Sequence, residues 1–221
     1  MRIKYIRKIY YMILTIGGIK GGSGKSLLAI SMVVLRSSDN KKVLFIDADD
    51  QKTSSDWVRH RQNLEIKTQW DTKILTSKSV RTEILKVIND YDDIIIDCGG
   101  RDTDSLRFAL SVTQKLVVPF RAAAADIWTV TKVSKLVKEA KELNPLLTSY
   151  SVLNATKPRN IKSVQAKDLL SQISELELIP VSIGDRNAFS DIIDNGLSVT
   201  ESRLDDKAIS EITQLYNYIY R

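Results

Sequence analysis

One cysteine, one histidine and no apolar run long enough to cross a bilayer leave several classes of protein out of reach. Cys98 alone cannot build a disulfide framework, a multi-cysteine metal site or an iron–sulfur cluster, and it points to a reducing compartment. His60 stands between Arg59 and Arg61 with no second ligand at a usable spacing. It reads as an exposed helix position rather than a metal or catalytic site. No stretch reaches the roughly 18 apolar residues that a spanning helix needs. The basic start and the largely apolar run 9–19 have the outline of a signal peptide, but no small-residue cleavage site follows. The run instead holds two glycines and leads into Lys20 and a glycine-rich loop, so it reads as an opening strand. There is also no internal repeat, low-complexity tract or linker, which argues against a second domain.

What remains is a chain of 221 residues, 43% hydrophobic and 27% charged, enough for one well-buried core. Its net charge of +6 favours attraction to a polyanion such as nucleic acid, although surplus lysine and arginine also simply keep a protein soluble. Residues 1–11 add only basic, aromatic and aliphatic side chains and read as an N-terminal extension, with Met12 an alternative initiator. Residues 12–221 read as the folded domain.

Short β-branched runs alternate with longer segments of helical periodicity. Strands are expected at 12–19, 43–47, 94–97, 115–119, 148–153 and 178–181. Several are apolar nearly throughout, as strands buried on both faces of a parallel sheet must be. Helices are expected at 26–37, 54–62, 79–89, 105–112, 126–143, 161–173, 187–194 and 206–220, with Pro145 and Gly196 ending two of them. The fold class is therefore α/β, a doubly wound and mostly parallel sheet flanked by helices, with ligands at the carboxyl ends of the strands.

The most informative stretch is Ile19-Lys20-Gly21-Gly22-Ser23-Gly24-Lys25-Ser26, set between a strand and a helix as a P-loop must be. Gly21, Gly22 and Gly24, with Ser23 among them, let successive N–H groups turn inward around phosphate oxygens at a helix N-terminus. Lys25 would then reach the β- and γ-phosphates of ATP, and the Ser26 hydroxyl would sit on Mg²⁺. Downstream, the strands Val43-Leu44-Phe45-Ile46-Asp47 and Asp93-Ile94-Ile95-Ile96-Asp97 each end in carboxylates beside the expected phosphate position.

The loop lacks the usual first glycine of GxxxxGK and opens on a second lysine, so it resembles the KGGxGK(S/T) loop of the ParA/MinD superfamily of deviant Walker ATPases. The resemblance spans about residues 12–221. It implies that Lys20 crosses an ATP-sandwiched homodimer to contact phosphate in the partner, that Asp49 orients the attacking water, that Asp47 supports the Mg²⁺ shell and that Asp97 is the Walker B carboxylate. The segment 47–51 is similar to the family's DxDPQ, with Asp50 in the proline position. Leu27 stands where the family commonly has a second hydroxyl near the α-phosphate. Asn154 matches the position whose amide faces adenine, and Arg186, within 183–189, belongs to the other wall of the base pocket. Cys98 reads as a small buried hydrophobe, and Arg101 as either a nucleotide sensor or a surface ion pair. Arg121 to Ala125 replaces the family's usual proline and serine residues and leaves only Asp126 matched.

By this resemblance the chain is a cytoplasmic, nucleoid-associated partition ATPase of the small plasmid type, similar to ParF, without room for an N-terminal helix-turn-helix domain. ATP closes the dimer, the dimer binds DNA nonspecifically, and a ParB-like centromere-binding protein stimulates hydrolysis. Candidate DNA contacts are Lys157, Arg159, Lys162, Lys167 and Arg203. Two alternatives share the loop. A MinD-like positioning ATPase would need a basic amphipathic membrane tail, and a bacterial tyrosine kinase would use a C-terminal cluster such as Tyr216, Tyr218 and Tyr220. The apolar positions Ile209, Ile212, Leu215, Tyr216 and Ile219 carry little positive charge around them and are expected to pack on the sheet. Nitrogenase-type reductases are excluded by the single cysteine.

Overall fold

Three successive isoleucines, Ile94 to Ile96, are wholly excluded from solvent at the centre of the molecule. Burying each is worth roughly 1.5–3 kcal/mol, and only a sheet covered on both faces removes all three from water. The computed structural model describes residues 11–100, 104–123 and 128–221. They form seven strands: β1 Met12–Ile16, β2 Val43–Ala48, β3 Asp71–Ile74, β4 Asp93–Cys98, β5 Lys115–Arg121, β6 Thr148–Thr156 and β7 Glu177–Gly184. Their order is β3-β2-β4-β1-β5-β6-β7, and every pairing is parallel.

The helices are α1 Lys25–Ser38, α2 Thr53–Asn63, α3 Lys78–Val87, α4 Asp104–Leu110, α5 Val130–Leu143, α6 Ile161–Ser171, α7 Ala188–Asp194, α8 Val199–Ser202 and α9 Asp206–Ile219. Alternate strand residues point to opposite faces and so build two apolar layers. On one, Leu14, Ile16, Phe45 and Ile95 pack with α1, α2 and α7 to α9; on the other, Ile13, Leu44, Ile94 and Ile96 pack with α3 to α6. The tail helix α9 buries Ala208, Ile212, Leu215, Tyr216 and Ile219, mainly against β7 and α1. Its apolar stripe is thus already covered, and no described helix is long and apolar enough to cross a membrane.

The expected α/β sheet is present, with β1 ending at Ile16 rather than 19, β6 running to Thr156 rather than 153, and three further differences. β3 went unread, because its sequence DTKI is half exposed and lies at the sheet edge, where no continuous apolar run is required. β7 is longer than 178–181 and accommodates Pro180, as an edge strand can. The short helix α8 was also missed, although Ser198 and Glu201 form a capping box at its start. The extension 1–10, Arg101, and residues 124–127 with the expected helix start at 126 lie outside the described residues.

Candidate functional site

Register brings the carboxyl ends of three central strands to one level. Asp97 on β4 pairs with Asp47 on β2 and with Ile16 on β1, just before the glycine-rich loop. The loop turns through Gly22 at φ +73° and Gly24 at φ +92°, values that glycine adopts without strain. Gly24 is the N-cap of α1, so the first N–H groups of that helix face the loop's concavity. A β-carbon on Gly24 would also lie 2.2 Å from Asn154 Nδ2. The Asn154 amide donates to the Ser23 carbonyl at 2.7 Å, fastening the end of β6 to the loop.

Lys25 is nearly buried and its ammonium donates to the Lys20 carbonyl at 2.8 Å, across the loop it would use to hold phosphate. Lys20 itself is exposed and lines neither cleft of its own protomer. Asp47 accepts from the Asp49 N–H at 3.1 Å through one oxygen and from the Ser55 N–H at 2.7 Å through the other. Its carboxylate therefore ties the turn after β2 to the N-terminus of α2, where a negative charge is favoured by the helix dipole.

Asp97 is fully buried. The Ser54 hydroxyl donates to its Oδ2 at 2.6 Å, Ser26 stands close by, and its Oδ1 has no hydrogen-bond partner among the described residues. Burial pushes this carboxyl up to about 7, against the lowering effect of the two serines, with Asp47 nearby adding to the rise. Asp49 is half exposed, accepts from the Gln51 N–H at 3.0 Å and lies over Gly99, where a β-carbon would come 2.8 Å from Oδ1. Burial raises the Cys98 thiol well above its usual range, as suits the inert apolar position expected of it.

Beside these residues lies a cleft of about 540 Å³, lined by Gly21, Gly22 and Gly24 to Leu27 of the loop, the turn 48–51, Thr53, Gly99, Gly100, Ser105 and Ile193. A side pocket of about 230 Å³ shares Gly22, Gly24 and Leu27 with it and is walled by Arg121, Asn154, Ala155, Gly184 to Arg186, Phe189 and Ser190. Arg186 lies over Gly184 and is held by Glu211 at 2.7 Å and Asp205 at 3.8 Å. A cleft at the glycine-rich loop joined to a smaller pocket has the outline of a phosphate chain and a base. The sequence named the loop, Asn154 and Arg186 among these residues. It missed Ser54, which holds Asp97, and Thr53 and Ser105 in the cleft wall, because nothing in their local spacing announces a role.

His60 is half exposed on α2 with Nε2 2.8 Å from the carbonyl of Asp194 at the end of α7, a helix-to-helix contact and not a ligand position. The tyrosines of the kinase alternative are engaged in packing: Tyr216 and Tyr220 lie against each other with ring centroids 4.6 Å apart and both engage Arg36, while the Tyr218 hydroxyl donates to Glu177. Lys157, Arg159, Lys162 and Lys167 are exposed along the β6–α6 connection and α6, whereas Arg203 sits in the α8–α9 turn of the opposite layer.

Fold and loop together define a P-loop nucleotide-binding protein. The model of the CobQ/CobB/MinD/ParA nucleotide binding domain matches residues 14–199, and the chain belongs to this ParA/MinD-type family of P-loop ATPases. The Maintenance of carboxysome distribution protein A of Halothiobacillus neapolitanus is 21% identical over 212 residues, 93% of this chain and 95% of the relative. Among solved structures, an ATP complex of Cyanothece McdA has a TM-score of 0.80 at 14% identity, covering 95% of this chain and 96% of that one. A plasmid partition protein of Borrelia burgdorferi bound to AMPPNP has a TM-score of 0.77 at 20% identity, covering 95% and 98%.

Proposed function

We propose that this chain is a Mg²⁺-dependent partition ATPase whose ATP-bound homodimer binds DNA without sequence preference and moves DNA cargo with a centromere-binding partner. The observation that carries the reading is the placement of the two loop lysines. Lys25 is turned into its own cleft, while Lys20 is exposed and lines neither that cleft nor the side pocket, a placement that suits contact with a phosphate held by a second molecule. Residues 12–221 act as one ATPase domain.

The donor set fits a hard cation. Asp97 presents a buried carboxylate oxygen with no partner among the described residues, and Ser26 stands beside the same carboxylate. Ser26 and Asp97 would hold Mg²⁺, and Asp47 supports that shell at one remove by fixing the turn that carries Asp49. Bound there, the ion would supply charge neutralisation for the β- and γ-phosphates. Lys25 and the loop N–H groups hold the phosphate chain, and Asp49, at the cleft wall, orients the water that attacks it. Asn154 and Arg186 contribute walls of the base pocket.

The covered apolar face of α9 speaks against a membrane-bound MinD-like tail, and the packing of Tyr216 and Tyr220 speaks against an autophosphorylated tyrosine cluster. Similarity to a carboxysome distribution protein keeps protein cargo as a second reading with the same dimer switch. Sedimentation of wild type and Lys20→Ala with ATP and with ADP tests the switch. Dimer is expected only for wild type with ATP, and equal dimer fractions with the two nucleotides would reject it.

A further inference from the structure

Two adjacent strand ends reach successive carbonyls of the phosphate loop. Asn154 and Arg121 are register partners on β6 and β5. Asn154 donates to the Ser23 carbonyl at 2.7 Å, and Arg121 Nη1 stands 3.5 Å from the Gly22 carbonyl. The guanidinium therefore hangs at the outer rim of the loop, and it lines the side pocket together with Gly22, Gly24 and Leu27.

Those three loop residues are the ones that the phosphate cleft and the side pocket have in common. In any nucleotide that fills both, the group lying at such a seam is the α-phosphate, since it joins the phosphate chain to the sugar. At this seam the loop itself offers backbone N–H donors only. Gly22 and Gly24 have no side chain, and Leu27, half buried there, brings no polar atom. A planar guanidinium is the donor best matched to two phosphate oxygens.

We infer that Arg121 is a nucleotide-contacting residue that binds the α-phosphate of a nucleoside di- or triphosphate, in place of the hydroxyl that Leu27 lacks. The inference rests on the nucleotide-binding reading of the cleft. It concerns a residue at an exposed strand end, so substitution there leaves the core untouched.

Calorimetric titration with ADP and with a non-hydrolysable ATP analogue tests it in wild type, Arg121→Gln, Leu27→Thr and the double variant, with Lys25→Ala as reference. Loss of a charge-assisted contact should weaken ADP binding by Arg121→Gln about tenfold or more. The factor should be the same for the ATP analogue, because both nucleotides carry the α-phosphate. A threonine hydroxyl at position 27 can donate to the same phosphate, so in the Leu27→Thr background the penalty should shrink to about threefold or less, a coupling that a merely structural effect would not show. Unchanged ADP affinity in Arg121→Gln would overturn the inference. So would a loss confined to the ATP analogue, which would place the arginine on a γ-phosphate, or a penalty independent of residue 27, which would place it on the base or sugar. Should Lys25→Ala abolish binding while Arg121→Gln leaves it intact, only the role of Arg121 falls. If wild type binds neither nucleotide, the reading of the whole cleft falls with it.

Discussion

Gly100 lies so close to Gly21 that a β-carbon on Gly100 would come within 2.6 Å of both the nitrogen and the α-carbon of Gly21. The loop that follows β4 and the glycine-rich loop are thus packed backbone on backbone, with no flexible side chain to yield. Both flank the cleft, so relief of a clash must move one of its walls. Gly100→Ala is expected to cost about 1–3 kcal/mol, as overpacking does, and to express most of it as weakened nucleotide binding. The variant should melt near the wild-type temperature and bind ADP roughly 5- to 100-fold more weakly, by the same energy. Wild-type ADP affinity in Gly100→Ala would show that the two loops separate freely when nucleotide enters.

The carboxylate of Asp49 belongs to the cleft wall, where it accepts from the Gln51 N–H in the turn after β2 and lies outside the glycine-rich loop. Removing it should leave the phosphate cradle intact. Asp49→Ala is expected to bind ATP normally while hydrolysing it roughly 10²–10⁴-fold more slowly, the usual contribution of a positioned acid–base group. Lys25→Ala should lose nucleotide affinity instead. Steady-state hydrolysis and equilibrium binding of the two variants separate the roles, and wild-type turnover by Asp49→Ala would remove that residue from the mechanism.

Much of this site was legible because its parts are local. Loop, lysines and Ser26 are contiguous from Lys20 to Ser26, and the carboxylates terminate apolar strands that announce themselves by composition. What was illegible is either solvent-facing or distant in sequence. β3 has no apolar run to betray it, and the double engagement of Asp47 depends on where α2 begins. The fastening of α2 was also invisible. Trp57 donates to the Leu197 carbonyl at 3.3 Å, and Arg61 bridges to Gly196 and Glu201, partners some 135 to 140 residues away. Nothing in either segment alone marks such a pair.

That fastening carries its own expectation. Arg61 is 3% exposed, donates to both Glu201 oxygens at 2.6 and 2.9 Å, and lies against the stacked rings of Trp57 and Trp70. Glu201→Ala would leave a guanidinium in an apolar setting with only the carbonyls of Gly196 and Lys67 as acceptors. Breaking a buried pair by removing one partner costs about 3–5 kcal/mol. For a chain of this size each kcal/mol lowers the melting temperature by roughly 2–4 °C, so a drop of about 6–20 °C is expected in thermal denaturation. A shift under about 3 °C would mean that water replaces the carboxylate without loss.

DNA binding is where the structure sharpens the expectation drawn from charge alone. A net charge of +6 specifies no sequence, and contacts to phosphates should be similar for unrelated duplexes and should weaken steeply with salt. The candidate basic residues do not share one surface. Lys157, Arg159, Lys162 and Lys167 follow one another along the β6–α6 connection and α6, and Lys157 is 3.8 Å from Asp185, which offsets part of its charge. Arg203 belongs to the layer on the other side of the sheet. A duplex laid along α6 would therefore meet Lys162 and Lys167 without meeting Arg203 on the same protomer. Lys162→Ala and Lys167→Ala are each expected to weaken binding of every duplex alike and to reduce the log–log salt slope by about 0.9, whereas Arg203→Ala should change neither. Because the two α6 surfaces of a dimer act together only when it is closed, the effect should be present with ATP and absent with ADP. Measuring affinity with both nucleotides across a salt series decides the matter. A loss in Arg203→Ala equal to that of the α6 variants would move the interface to the other layer, and binding indifferent to salt or nucleotide would reject a phosphate-reading partition switch.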